Sequence, residues 1–153
     1  MLQPTSAHAG TYRVVVRNSG GTVLSASALL SVMDPIPLGE ALDANDLIWT
    51  TGGGATWFGQ PMVTHDGTDA ARSGGVGNAL ESWLETTVLG PGTLTFFWKV
   101  SSELGFDSLQ LSVGGALQGG ISGEVDWQSR SVPLGSGRQT VRWTYRKDGS
   151  AAG

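Results

Sequence analysis

Residues 92–100 read Gly-Thr-Leu-Thr-Phe-Phe-Trp-Lys-Val and form the most regular stretch of this 153-residue chain. Leu94, Phe96, Trp98 and Val100 occupy every second position, and threonine and lysine fill most positions between them. Successive side chains of a β-strand point to opposite faces, so this spacing gathers the apolar residues on one face. The stretch therefore predicts a strand that covers a core with one face and meets solvent with the other.

The same alternation marks further strands on both sides of this one. The predicted strands of this part of the chain are residues 82–89, 92–100, 108–113, 127–134 and 139–147. No segment of ten or more residues keeps a clean helical period. Half-buried antiparallel strands of this kind favour an all-β fold, an antiparallel β-sandwich of two stacked sheets.

Residues 10–32 predict a separate β-hairpin. Tyr12, Val14 and Val16 share one face, and a second alternating run follows the Asn-Ser-Gly-Gly turn at residues 18–21. A hairpin of two strands is only marginally stable alone in water. We therefore expect these strands to be the last two of a partial domain, with partners elsewhere in a longer protein.

The pattern divides the chain into three parts. Residues 1–33 are predicted to hold the partial domain, and residues 38–153 a sandwich module. Residues 34–37 contain two prolines and predict a short, fairly stiff linker, because proline fixes one backbone angle and lacks an N–H donor. The module stops soon after a strong strand, so we expect it to lack its final strand.

Composition excludes several classes of function. The net charge of −4 offers no basic surface, which disfavours nucleic-acid partners. No apolar run reaches the length of a membrane span, so membrane insertion is not expected. The absence of cysteine excludes disulfides, cysteine-ligated zinc and thiol catalysis. Twenty-four glycines and six tryptophans are typical of short strands joined by tight turns.

Residues 9–16, Ala-Gly-Thr-Tyr-Arg-Val-Val-Val, resemble the last strands of an immunoglobulin-like domain. The resemblance places Tyr12 at the tyrosine-corner position. His8 stands where the family usually has an acidic residue, and Val14 stands where antibody domains have a cysteine. These departures match the disulfide-free bacterial members of the family.

The rest of the chain resembles a MAM-like module with a concanavalin-like jelly roll, found in large secreted bacterial proteins. The matching segments are residues 49–53, 57–58, 82–86, 90–102, 121–127 and 145–148. The resemblance implies an extracellular or cell-surface location and neighbouring domains of the same polypeptide as partners. Modules of this kind end with one more strand after the Lys-Asp pair at residues 147–148.

The sequence gives little sign of catalytic or metal chemistry. The adjacent pair His65-Asp66 could suggest metal or acid–base chemistry, but the other histidine of the chain lies in the partial hairpin. Catalysis needs a positioned set of groups, so no catalytic residue is predicted. Asp66 and Asp69 flank a glycine in a short acidic loop and are candidate calcium ligands. The full spacing of an EF-hand is absent, so a plain turn remains the alternative; no other cofactor is expected.

Tryptophans in turns are the remaining candidates for a binding site. An exposed indole can cover the apolar face of a sugar ring while nearby polar groups bind its hydroxyls. Trp57 with Gln60, and Trp127 with Asp126, are the best-placed pairs. Two interpretations stay open, because the same indoles could instead plug the ends of the sandwich.

These observations predict a non-catalytic module of a large extracellular protein, used for adhesion, binding or spacing. Its expected partners are a glycan or a cell-surface protein. The alternative is a carbohydrate-binding accessory module of a secreted polysaccharide-degrading enzyme or protease. A jelly roll hosts many functions, so the fold alone does not choose between these hypotheses.

Overall fold

The computed structural model describes residues 6–32 and 35–150, and it divides the chain into two units, Met1–Pro35 and Ile36–Gly153. The division falls within the segment predicted as a linker, residues 34–37, of which Asp34 lies outside the described residues. No helix in the described part of the chain is long and apolar enough to cross a membrane.

The first unit is a hairpin broken into two short ladders. Its elements are a 3-10 helix (Ser6–His8), β1 (Gly10–Tyr12), β2 (Val15–Asn18), β3 (Gly21–Leu24) and β4 (Ala28–Leu30). Strands β2 and β3 pair around the turn, and β1 and β4 pair outside them, both antiparallel. The single hairpin predicted over residues 10–32 is therefore present but interrupted.

The apolar side chains of this hairpin are exposed on both faces. Their exposed fractions run from 39% for Leu30 to 77% for Leu29. At the start of the hairpin, the Tyr12 hydroxyl donates a hydrogen bond of 2.7 Å to the carbonyl of His8. The bond joins the ring to the backbone four residues upstream.

The second unit contains a short helix and seven strands. Its elements are α1 (Leu38–Ala41), β5 (Thr50–Gly53), β6 (Phe58–Gln60), β7 (Ala70–Arg72), β8 (Glu81–Ser101), β9 (Ser108–Val113), β10 (Ala116–Ile121) and β11 (Glu124–Arg146). Five strands join into one antiparallel sheet in the order β10-β9-β11-β8-β5, and β6 pairs with β7 separately.

Two of these strands are longer than the sequence predicted. Strand β8 takes in both predicted strands 82–89 and 92–100, and β11 takes in 127–134 and all but the last residue of 139–147. They pair along their whole length as one two-stranded ribbon, with register shifts at two points. The prediction of separate strands was wrong here, because the glycines and proline between them bend the ribbon without ending it.

The ribbon folds back on itself. Leu84 of β8 lies opposite Trp143 of β11. Phe96 lies twelve residues further along β8, which would be about 40 Å away in a straight strand. The rings of Phe96 and Trp143 nevertheless meet edge to face, with centroids 5.2 Å apart. The two halves of the ribbon therefore face each other, and the predicted all-β antiparallel sandwich is confirmed.

The hydrophobic core fills the space between the two halves. Its buried members are Leu84, Trp98, Val100, Leu109, Leu111, Val132, Val141 and Trp143. They come from both halves of the ribbon and from β9, and Trp98 and Val100 lie on the face that the alternation predicted. Burial of this apolar area holds the layers together, so residues on the opposite faces are free for other roles.

Candidate binding surface

A β-bulge in β11 turns two consecutive side chains towards the same outward face. Val125 pairs with Val100 and Gln128 with Trp98, so two residues of β11 lie opposite the single residue Lys99. An extra residue of this kind re-aims side chains locally. The Asp126 carboxylate consequently bonds Lys99 Nζ at 2.7 Å, while the Trp127 ring reaches His65.

Three aromatic rings meet on this outward face, and we call His65, Phe97 and Trp127 the aromatic patch. The imidazole of His65 stacks on Phe97 with centroids 3.6 Å apart and planes 17° apart. Its centroid lies 6.0 Å from that of Trp127, in an edge contact. His65 and Phe97 are exposed, Trp127 is half-buried, and none of the three is among the buried members of the core. The patch is therefore an aromatic surface open to a partner.

Each ring reaches the patch by a different route. Phe97 breaks the polar side of the alternation in β8 and is 46% exposed. The loop between β6 and β7 carries His65 across to it. Neither residue was predicted from the sequence as part of a binding site, although an apolar residue on the polar face of a strand was a signal that could have found Phe97.

An ion pair fixes the polar border of the patch. The hydrogen bond from Lys99, a second from the Trp127 backbone N–H and the positive charge of Lys99 lower the pKa of Asp126. Asp126 therefore stays ionised at neutral pH and keeps both partners. Aromatic faces beside charged and hydrogen-bonding groups are the usual make-up of a sugar-binding surface.

Trp57 and Gln60 are placed differently from Trp127 and Asp126. Trp57 is half-buried and packs against the core, and its indole nitrogen is buried without a hydrogen-bond partner. Gln60 is buried, and its amide bonds the backbone of Met62 and Val63 at 2.7 to 2.8 Å. The placement favours the plug interpretation for Trp57 and a loop-closing role for Gln60, in place of the predicted ligand contacts.

Asp66 and Asp69, the predicted calcium ligands, lie in an exposed loop between β6 and β7. The Asp66 carboxylate accepts the backbone N–H of Thr68 at 2.8 Å, as in an ordinary Asx turn. Calcium takes six to eight oxygens, usually from several carboxylates and carbonyls. Among the described residues, neither aspartate belongs to a group of three acidic or histidine side chains close enough to share an ion. The calcium prediction gains no support from this arrangement.

The acidic group that does form is locked by a lysine. Glu103, Asp107 and Asp148 bring carboxylate oxygens within 4.8 Å of one another. Asp107 is 2% exposed, and its two oxygens bond Lys147 Nζ and the Asp148 backbone N–H, each at 3.0 Å. Lys147 supplies the positive charge that an ion would bring. The group therefore ties the loop before β9 to the end of β11.

Opposing effects set the pKa of Asp107. Burial raises it, but the hydrogen bond from the Asp148 backbone and the hydrogen bond and charge of Lys147 outweigh burial, so the pKa lies below its ordinary value. The same contact with Asp107 raises the pKa of Lys147. Both groups are therefore charged at neutral pH, and the pair stabilises the fold in that state.

Other candidate surfaces are less suited to a ligand. Trp83 faces outward from the first half of the ribbon, but the guanidinium of Arg142 lies 4.3 Å above its ring and bonds Glu85 at 2.6 Å. Two open clefts of about 280 and 400 Å³ flank Arg146. No residue of the aromatic patch lines either of these two clefts, so both lie apart from the patch.

Comparison with known proteins gives information about the fold and not about the function. No family model and no curated protein matches the sequence. The chain is similar in structure to part of the secreted serine protease VesC from Vibrio cholerae, with a TM-score of 0.50 and 17% identity. The similarity covers 88% of this chain and 28% of the protease chain. At this identity the likeness concerns the arrangement of strands.

Proposed function

We propose that this chain is a non-catalytic binding module of a larger extracellular protein, and that its ligand is a glycan. The aromatic patch carries the proposal, because three rings without a role in the core lie beside an ion pair on an exposed strand face. Rings of this kind cover the C–H face of a pyranose, and the polar border binds its hydroxyls.

The setting of His65 supports a non-catalytic role. Its ring stacks on Phe97 and meets the edge of Trp127, which places it among rings and not beside a nucleophile. General-base chemistry needs a hydrogen-bonded partner in reach of a substrate. The buried carboxylate of Asp107 is likewise committed to Lys147 and the Asp148 backbone.

The proposal is tested by affinity electrophoresis of the purified chain in gels that contain hydroxyethyl cellulose, xylan or galactomannan. We expect at least one polymer to retard the chain, and Trp127→Ala and Phe97→Ala to remove the retardation. Phe106→Ala is the matched control, because Phe106 is 61% exposed outside the patch. Free migration in all three gels, or retardation unaffected by both patch variants, would count against a glycan ligand.

A second candidate is an accessory module of a secreted enzyme. The likeness to part of a secreted serine protease favours it, since the matched region is about a quarter of that chain. The immunoglobulin-like and MAM-like resemblances, together with the Tyr12 to His8 bond, support a module in a multidomain surface protein. The full-length polypeptide separates the two: a catalytic domain supports the accessory role, and repeated β-domains support adhesion.

A further inference from the structure

The aromatic patch lies in the middle of a longer exposed surface. We call this surface the outer strip; it consists of the outward side chains of the second half of the ribbon. They are Thr93, Thr95, Phe97, Lys99 and Ser101 on β8, and Glu124, Asp126, Trp127, Ser129, Ser131 and Pro133 on β11. All are exposed except Lys99 and Trp127, which are half-buried.

The strip is longer than a single sugar ring. Thr93 and Ser101 are eight residues apart on one strand, which corresponds to about 26 Å. The register of the ribbon is continuous on the Thr93 side of the bulge, so the strip is an unbroken row of paired positions there. A ligand that used the whole row would have to be an extended chain.

Polar groups continue on both sides of the patch. On one side the hydroxyls of Thr95 and Ser131 lie 3.1 Å apart and face outward. On the other side Ser101 bonds Glu124 at 2.7 Å, beyond the Lys99–Asp126 pair. Each group can exchange its neighbour for a sugar hydroxyl, because hydroxyls both donate and accept hydrogen bonds.

The charges of the strip select against an acidic ligand. Lys99 and Asp126 neutralise each other, and Glu124 leaves one negative charge in excess. An anionic chain would meet like charge, which suppresses binding. The surface is also open to solvent at both ends, because Thr93 and Pro133 at one end and Ser101 and Glu124 at the other are all exposed.

We propose that the outer strip binds the interior of a linear, uncharged polysaccharide laid along the ribbon. This inference rests on the proposed function and names its ligand class. One pyranose stacks on the aromatic patch, and the residues that follow bind the Thr95 and Ser131 hydroxyls. The side chains far from the rings then determine how much longer chains gain over short ones.

The test is calorimetric titration of the chain with an oligosaccharide series, from monosaccharide to hexasaccharide, of the neutral polymer that retards it in gels. We expect affinity to rise at least tenfold from the shortest to the longest sugar. Replacing both Thr95 and Ser131 with Ala should remove about five- to tenfold of that gain, the worth of one or two hydrogen bonds. Binding of the shortest sugars should be unchanged.

The matched control replaces Thr87 and Thr140 with Ala. These two residues are directly opposite each other and exposed on the first half of the same ribbon, outside the strip. The control should bind every sugar as the unaltered chain does. If the control loses as much as the strip variant, the effect is structural and the inference fails.

Three further outcomes are decisive. Affinity that stays flat with length, while Trp127→Ala still abolishes binding, would overturn the strip and leave the proposed function standing. Tighter binding of polygalacturonate than of the neutral polymer would overturn the uncharged class. Binding that survives Trp127→Ala and Phe97→Ala would overturn both proposals together.

Discussion

The inner and outer faces of one ribbon carry similar residues with opposite roles. Trp98 and Phe96 point inward, where Phe96 meets both Trp98 and Trp143 edge to face in the core. Phe97 and Trp127 point outward on the same two strands, and the ring of each contacts the imidazole of His65. Aromatic residues are thus not core by type; the strand face and its partners decide whether a ring stabilises the fold or remains available to a ligand.

The largest expected effect comes from the inner face. Trp143→Ala removes a buried ring that packs against Trp49 and Phe96, with centroids 6.0 and 5.2 Å away. We expect it to reduce the free energy of unfolding by about 3–5 kcal/mol, as for other large-to-small core changes. Chemical denaturation measures this. A loss below about 1 kcal/mol, within the range of surface changes, would break the distinction between the two faces.

The second-largest effect is expected from the ion pair of Asp107 with Lys147. Asp107→Asn keeps only one acceptor oxygen for two donors, so its NH2 must face either the Lys147 ammonium or the Asp148 backbone N–H as donor against donor. We therefore expect the melting temperature to fall by roughly 10 °C. Asp126→Asn is the control, because it breaks the exposed pair with Lys99 on the outer face. Equal shifts in the two variants would show that burial of the Asp107 carboxylate is not what matters.

The Asp107–Lys147 pair also predicts that the stability of the fold depends on pH. The folded-state pKa of Asp107 is lowered, so its contribution is present above the ordinary value of 3.8 and is lost as the pH falls below it. Thermal melts between pH 7 and pH 3 should therefore show a smaller acid-induced drop in Asp107→Asn than in the unaltered chain. Parallel curves would contradict this assignment.

The smallest expected effect on stability concerns the first unit. Every member of the core cluster belongs to the second unit, so deletion of residues 1–33 should change its melting temperature by less than about 2 °C. Differential scanning calorimetry checks this. A drop of more than about 5 °C in that melting temperature would show that the hairpin of the first unit stabilises the sandwich.

The sequence predicted most of the fold through alternation. The inward residues of residues 92–100 and of β9 are core because the period of two is unbroken there. The fold-back was not predictable in the same way. A glycine-proline-glycine run at residues 90–92 reads as the end of a strand, and only the cross-strand pairing of β8 with β11 carries the ribbon through it.

The candidate site was only half predictable. Trp127 and Asp126 were predicted from the sequence because they lie in a polar segment. The bulge that places both side chains on one face depends on the pairing of β11 with β8 at Lys99, which the sequence does not show. His65 and Phe97 are far apart in the chain and meet only in the folded sandwich. Trp57 looked equivalent to Trp127 in sequence, and its contact with the core separates the two.

The most direct test of the central claim follows the six indole N–H signals by NMR while the chain is titrated with the hexasaccharide of the neutral polymer that retards it. Trp127→Phe assigns one signal by its loss. We expect the Trp127 signal to shift on binding and the signals of Trp57, Trp98 and Trp143 to stay in place. A shift of Trp57 with an unmoved Trp127 signal would contradict it.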